Sequence, residues 1–344
     1  MAQQRLRADQ RERQGDPADR DDQRNHGRDQ KVTPKANAPK APPNEEERGL
    51  VLRWPAEVAG RSAGEIPFAH PLSNLVLDLH GDPAVARLIV FSDGNHHMAL
   101  VDALAAFASS ERDCGEPFYA TTPPRVVSEW LLHGSIRIGN LRLSTRPHVF
   151  ISPRPVLDRL AASERLGPIQ ALARNRGAVL LVPRGNPKGL RGIADLARGD
   201  VRLFLSNPDA EKVSFEAYLQ TLARVATGSG VWLDFIAPDG SLIRSPRVVL
   251  GEMIHHREAP QAVSDGRADC AVVFSHLGLR YTRVFPDRFD TVALGHEAEH
   301  VRSETHLALL ADSGVHGTAF AAFMRGPEAK AIYQHHGLDW IDAS

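Results

Sequence analysis

Beyond residue 86 the sequence alternates short apolar runs with segments of helical periodicity, and this alternation restricts the chain to an α/β architecture. RLIVF (87–91) is a β-branched run of the kind a buried strand shows. The turn residues Ser92, Asp93, Gly94 and Asn95 follow it. Met98, Leu100, Val101, Leu104, Ala105 and Phe107 then recur at helical spacing. The unit repeats. A strand at 117–121 leads through Thr121, Thr122, Pro123 and Pro124, an N-cap hydroxyl with first-turn prolines, into a helix that stops at Gly134. Residues 136–143 read as a strand or hairpin arm, HVFIS (148–152) as a strand and 155–166 as a helix. AVLLVP (178–183) is an uninterrupted apolar strand, 193–196 a short helix and 201–205 a strand. Ser206, Asn207 and Pro208 open a helix running to Val225. A helix at 259–265, strands at 268–275 and 305–310, and helices at 317–324 and 327–335 complete the pattern. Such alternation implies mostly parallel sheets covered on both faces.

The first 48 residues are of a different composition. They contain no Phe, Tyr, Trp or Ile, and Leu6 and Val32 are their large aliphatics. They cannot bury enough apolar surface to offset the entropy of ordering, so residues 1–48 read as a disordered tail, with 49–85 as a lead-in segment. No apolar run of signal-peptide length precedes Leu50, which read literally makes the chain cytoplasmic. No stretch approaches 18 consecutive apolar residues, so no integral membrane segment is expected. Lys and Arg number 41 against 42 Asp and Glu, a balance that argues against a nucleic-acid binder. Cys114 and Cys270 are too few for a disulfide scaffold or a Cys-rich zinc site.

In parallel sheets ligands sit beyond the carboxyl ends of strands, where loops meet helix N-termini. Five such loops here begin with hydroxyl or amide residues: Ser92 with Asn95, Thr121 with Thr122, Ser152, Ser206 with Asn207, and Ser275. Hydroxyls and helix N-terminal amides suit an anion. Few cations follow these strands, so the pattern favours an oxyanion held by neutral donors. The ordinary alternative is that each residue only caps a helix.

The motifs carry a family resemblance. HVFIS, then ALARNRGAVLLVPRGNPKGLRGIADLARGDVRLFLSNP, then QAVSDGRADCAVVFS and AAFMRGPEAKAIYQHHGLDW resemble, in this order, the periplasmic molybdate-binding proteins of ABC importers. The resemblance covers about 87–340. It implies a two-lobed type II periplasmic-binding-protein fold, with lobe 1 from 86–176 and 282–344 and lobe 2 from 177–281. It also implies a periplasmic location, an ABC permease as partner and hinge closure on a small oxyanion. The family's ligand positions fall on Ser92, on Thr121 or Thr122, and on Ser206 or Asn207, with Ser275 or His276 in place of a tyrosine. With Asn95 and His96 added from the first loop, these form the expected ligand-binding set.

That first loop reads SDGNHHMAL, which brings Asp93, His96 and His97 near the presumed ligand. If these met His276, a transition-metal site would follow, since imidazole suits zinc, nickel and copper. Asp93, His96, His97 and His276 themselves show no H-x-x-x-H, HExxH or CxxC spacing to support this alternative. A cytoplasmic ligand sensor of the same fold is the other alternative. No G-x-S-x-G elbow or Walker loop is present, so no catalytic residue, no enzymatic activity and no cofactor are expected.

Overall fold

Strand β2 (Ile89–Ser92) follows β1 (Leu79–His80) and leads into helix α1 (His97–Ser110). The three consecutive apolar residues of β2 are all buried because they serve both faces of a covered sheet. Ile89 and Phe91 join one apolar cluster and Val90 joins the other. The chain continues through β3 (Phe118–Thr121), α2 (Pro124–His133), a separate hairpin of β4 (Ile136–Ile138) and β5 (Leu141–Leu143), β6 (Val149–Ser152), α3 (Arg154–Ala161) and β7 (Gln170–Arg174). It then crosses to a second sheet. That lobe holds β8 (Ala178–Pro183), β9 (Leu203–Leu205), α4 (Lys212–Gly228), β10 (Val248–Leu250), α5 (His255–Ser264), β11 (Cys270–Phe274), α6 (Ser275–Val284) and β12 (Phe289–Ala293). The chain returns with β13 (Glu304–Leu309), α7 (Gly314–Phe323), α8 (Pro327–His335) and β14 (Asp339–Trp340).

This computed structural model describes residues 78–342 apart from 123, 139–140, 162–165, 210, 253–254, 297 and 299–301. All of them belong to one compact unit, Glu45–Ser344. The expected tail at 1–48 and residues 49–77 of the lead-in lie outside the described residues.

The first sheet has the order β1-β3-β2-β6-β13-β7-β14 and the second the order β10-β9-β11-β8-β12. In the first, β3, β2 and β6 are parallel and β13 is antiparallel to β6. In the second, β10, β9 and β11 are parallel and β8 is antiparallel to β11. Both β8 and β13 are the first strands the chain forms after changing lobes. The two crossings run side by side, with Asn175 N donating to Ser303 O at 3.1 Å. Gly177, at φ 93°, turns the first crossing into β8 in a conformation that side chains disfavour.

Three expectations are corrected. Residues 282–293 belong to lobe 2, not lobe 1, because β12 pairs along its length with β8 and the return crossing begins after Ala293. Leu166 is not helical: α3 ends at Ala161 and Leu166 bridges to Leu310. The helix expected from Ser206 begins instead at Lys212, since Asn207 Oδ1 accepts Asp209 N at 2.7 Å and forms a local turn around Pro208.

Helix α6 lies flat on β8 and β12 because Gly278 has no side chain. A Cβ there would sit 2.8 Å from Val179 Cγ2 and 2.9 Å from Thr291 Cγ2. Helix propensity favours alanine over glycine by about 1 kcal/mol, whereas overpacking costs about 1–3 kcal/mol. The contacts are backed by strands, so overpacking wins. Gly278→Ala is expected to lower the urea midpoint at unchanged m-value; a raised midpoint would show that the sheet yields freely.

Candidate functional site

The carboxyl ends of the parallel strands in both sheets meet at one interlobe gap. The loop after β2 touches the start of α5 and of α6. A Cβ on Gly94 would lie 3.1 Å from His256 Cε1, so the two lobes approach closely here. His276 Nε2 lies 2.6 Å from the Asn95 carbonyl, a hydrogen bond between the lobes in which the imidazole donates. The rings of His97 and His256 are 5.6 Å apart. Met98 of α1 packs into the lobe 2 apolar core.

On lobe 1, Ser92 Oγ lies 2.8 Å from His96 Nε2, and His96 Nδ1 lies 2.9 Å from the Tyr333 hydroxyl on α8. Both His96 nitrogens are therefore engaged inside lobe 1. Asp93 Oδ1 accepts Asn95 N at 2.9 Å and caps the short turn before α1. Burial pushes the Asp93 carboxyl up to about 6, against the pull of the Asn95 N–H. Thr121 Oγ1 donates to Asp78 Oδ2 at 2.9 Å, and Thr122 N donates to Ser92 O at 3.1 Å. Ser152 Oγ, at the end of β6, is buried with no hydrogen-bond partner.

On lobe 2, Ser206 Oγ at the end of β9 is likewise buried without a partner. Asn207 is a brace: its Nδ2 donates to Gly251 O at 2.9 Å and Glu252 O at 3.2 Å, holding the segment after β10. Ser275 Oγ donates to Gly177 O at 3.2 Å and ties α6 to the crossing. His276 Nδ1 is buried and unpartnered.

Sequence reasoning missed an ion pair across the gap. Arg257 Nη2 on α5 lies 3.8 Å from Asp78 Oδ2 on lobe 1, and both side chains are 11% exposed. Burial opposes the Asp78 charge, but His80, Arg257 and His97 outweigh it and hold the carboxyl well below its usual range. The signal for Arg257 was its place in HHR, one turn into a helix that follows a strand. Asp78 had no signal, because a two-residue edge strand leaves no periodicity.

The metal alternative is also corrected. Among the described residues no three His, Cys, Asp or Glu side chains are grouped to hold an ion. Asp93 and His96 have the partners given above, His97 Nδ1 lies 2.8 Å from Gly94 O, and His276 bonds Asn95 O.

Five enclosed histidines have lowered pKa values, in each case through burial first. His96 falls to about 3, His255 and His276 to about 4, and His97 and His256 fall as well. A depressed folded-state value means the stability each contributes is present above the unfolded value of 6.5 and lost as pH falls toward the folded one. Asp93 and Glu211, which burial raises to about 6 and about 7, act oppositely: their contribution is present at low pH and lost as pH rises through those values. Five groups outnumber two, so the urea midpoint is expected to rise between about pH 4.5 and 6.5. A midpoint that falls across that window would mean that the rings are not buried neutral.

The profile of the bacterial extracellular solute-binding proteins matches residues 135–339. No curated protein matches the chain. Among solved structures, the sulfate-binding protein SubI from Mycobacterium tuberculosis H37Rv superposes with a TM-score of 0.52 at 17% identity, covering 74% of this chain and 87% of that one. The Azotobacter vinelandii periplasmic molybdate-binding protein gives 0.50 at 16% identity, covering 75% and 100%. Peb3 from Campylobacter jejuni gives 0.50 at 15% identity, covering 73% and 99%. At such identities the likeness shows the fold alone, the two-lobed type II fold of periplasmic binding proteins. With the profile spanning more than half of its length, the chain belongs to the bacterial extracellular solute-binding protein family.

Proposed function

We propose that this solute-binding protein holds a small oxyanion of the molybdate or sulfate type in the interlobe gap and delivers it to an ABC permease from outside the cytoplasm. The observation that carries this reading is the pair of buried, unpartnered hydroxyls, Ser152 Oγ on lobe 1 and Ser206 Oγ on lobe 2. Both stand at carboxyl ends of parallel strands, and hydroxyls there donate well to an anion. A buried polar group left unsatisfied costs about 1–3 kcal/mol, and a ligand that accepts from it removes that cost. Arg257 supplies positive charge at the same gap. Thr122, also buried at a strand end, completes the set proposed to face the ligand, and Ser92 and Thr121 join it on rotating away from their present partners. The sulfate and molybdate named for two of the structural neighbours are consistent with this class of solute.

The test is thermal unfolding with molybdate, tungstate, sulfate and phosphate, with zinc and nickel as controls. An oxyanion at 100 times its Kd adds about 2.7 kcal/mol of stability, a readily measured rise in Tm. Stabilisation by the metals alone, or by nothing in the panel, would refute the proposal.

Ser152→Ala and Ser206→Ala sharpen it. Each removes a hydroxyl that bonds nothing in the free protein, so the free Tm is expected to hold or rise. Each also removes one bond to a charged ligand, worth about 1.5–3 kcal/mol, so oxyanion Kd is expected to rise by about tenfold to a hundredfold. Unchanged Kd in both variants would remove these serines from the site.

A further inference from the structure

The ion pair across the gap is built unequally. Asp78 is fixed to lobe 1 on several sides: its carbonyl accepts Thr121 N at 2.9 Å, its Oδ2 accepts Thr121 Oγ1 at 2.9 Å, and its Oδ1 lies 3.2 Å from His80 Nε2. His80 is itself stacked on Tyr119, with ring centroids 4.5 Å apart at 14°. These contacts follow from β1, which pairs antiparallel at the sheet edge with Leu79 opposite Ala120 and His80 opposite Tyr119. The register brings position 78 beside Thr121, at a strand end facing the gap. On the other side Arg257 approaches from lobe 2 only to 3.8 Å, within electrostatic range but beyond a hydrogen bond. Asp78 thus presents a carboxylate to one strand-end hydroxyl and to the cation of the opposite lobe, which are the contacts an oxyanion would make.

We propose that Asp78 is a tethered surrogate anion: it occupies the anion position between Thr121 and Arg257, draws the lobes together without solute, and sets specificity by admitting only solutes that replace a carboxylate at Arg257. The replacement rests on the oxyanion reading above; the closure of the solute-free lobes does not. A neutral or cationic solute cannot take over the guanidinium, whereas an oxyanion can. Because the surrogate competes for the site, it weakens apparent affinity by the fraction of time it is seated.

The experiment uses the full chain with a spin-label pair at Leu132→Cys on α2 and Val213→Cys on α4, both exposed positions in different lobes. Cys114 and Cys270 are buried and stay unlabelled. Asp78→Asn keeps the shape and an acceptor for Thr121 but removes the charge. Without solute, its interlobe distance is expected to lengthen or broaden relative to the parent. Its Kd for molybdate or sulfate, whichever the parent binds, is expected to fall about tenfold. Arg257→Gln breaks the same pair from the other lobe. It is expected to open the solute-free lobes as well, but to weaken the oxyanion. Equal opening with opposite shifts in affinity is a signature that simple loss of packing does not give. If both variants keep the parent distance without solute, the surrogate is refuted. If Asp78→Asn opens the lobes but neither it nor the parent binds any oxyanion, the closing role stands and the oxyanion reading fails. If Asp78→Asn binds the oxyanion no more tightly than the parent, the competitive role is refuted. Should Asp78→Asn fail to fold, Arg257→Gln alone decides the closing role by its solute-free distance.

Discussion

The chain changes sheets twice, and that double passage fixes where everything else can go. Each passage ends on a strand that enters its new sheet antiparallel to a neighbour, β8 against β11 and β13 against β6. The remaining central strands of both sheets then run with their carboxyl ends toward the same gap. Residues as far apart in sequence as Asn95 and His276 meet for this reason. The passages also hold each other. Asn175 N bonds Ser303 O, and Gly177 O accepts both the amide and the hydroxyl of Ser275. The first crossing is thus tied to the first turn of α6, and the same helix carries His276 across to Asn95.

The electrostatics of the gap follow from enclosure. A charged imidazole there would have to be desolvated beside other histidines, so the rings stay neutral and make directed single bonds. His276 shows the consequence. With Nε2–H donating to Asn95 O, Nδ1 is left as a buried acceptor, and the lobes touch without added charge. The cation that does cross the gap, Arg257, is tolerated because Asp78 stands opposite it. A guanidinium stays charged where an imidazole would neutralise. The division is therefore chemical: histidines close the gap and the arginine gives it a sign.

Much of the fold was legible because buried strands announce themselves. RLIVF, HVFIS and AVLLVP are continuous apolar runs, and each becomes an interior strand with its side chains in the apolar clusters. The elements that escaped were those whose environment is mixed. β7 reads QALAR and β12 reads FDTVA, both half-exposed, and neither has the density of a central strand. Missing β12 is what misplaced the lobe boundary. Helix α6 was hidden because Ser275-His276 reads as the end of a strand, and its packing depends on the bare surface of Gly278, which has no hydrophobic signature.

The candidate site was legible as a set of positions but not as a set of roles. Strand-end Ser, Thr and Asn residues are alike in sequence, yet the fold uses them differently. Ser275 and Asn207 are spent on holding loops, Ser92 on His96, and Thr121 on Asp78. Ser152 and Ser206 have the same residue type at the same kind of position and bond to nothing. What separates a brace from a donor in waiting is therefore whether a partner lies within reach, and that is settled by elements far away in sequence: β1 for Thr121, α8 for His96, the first crossing for Ser275. No local pattern encodes those distances. An unsatisfied buried hydroxyl is a standing cost to the fold, and Ser152 and Ser206 carry that cost at strand ends in both sheets.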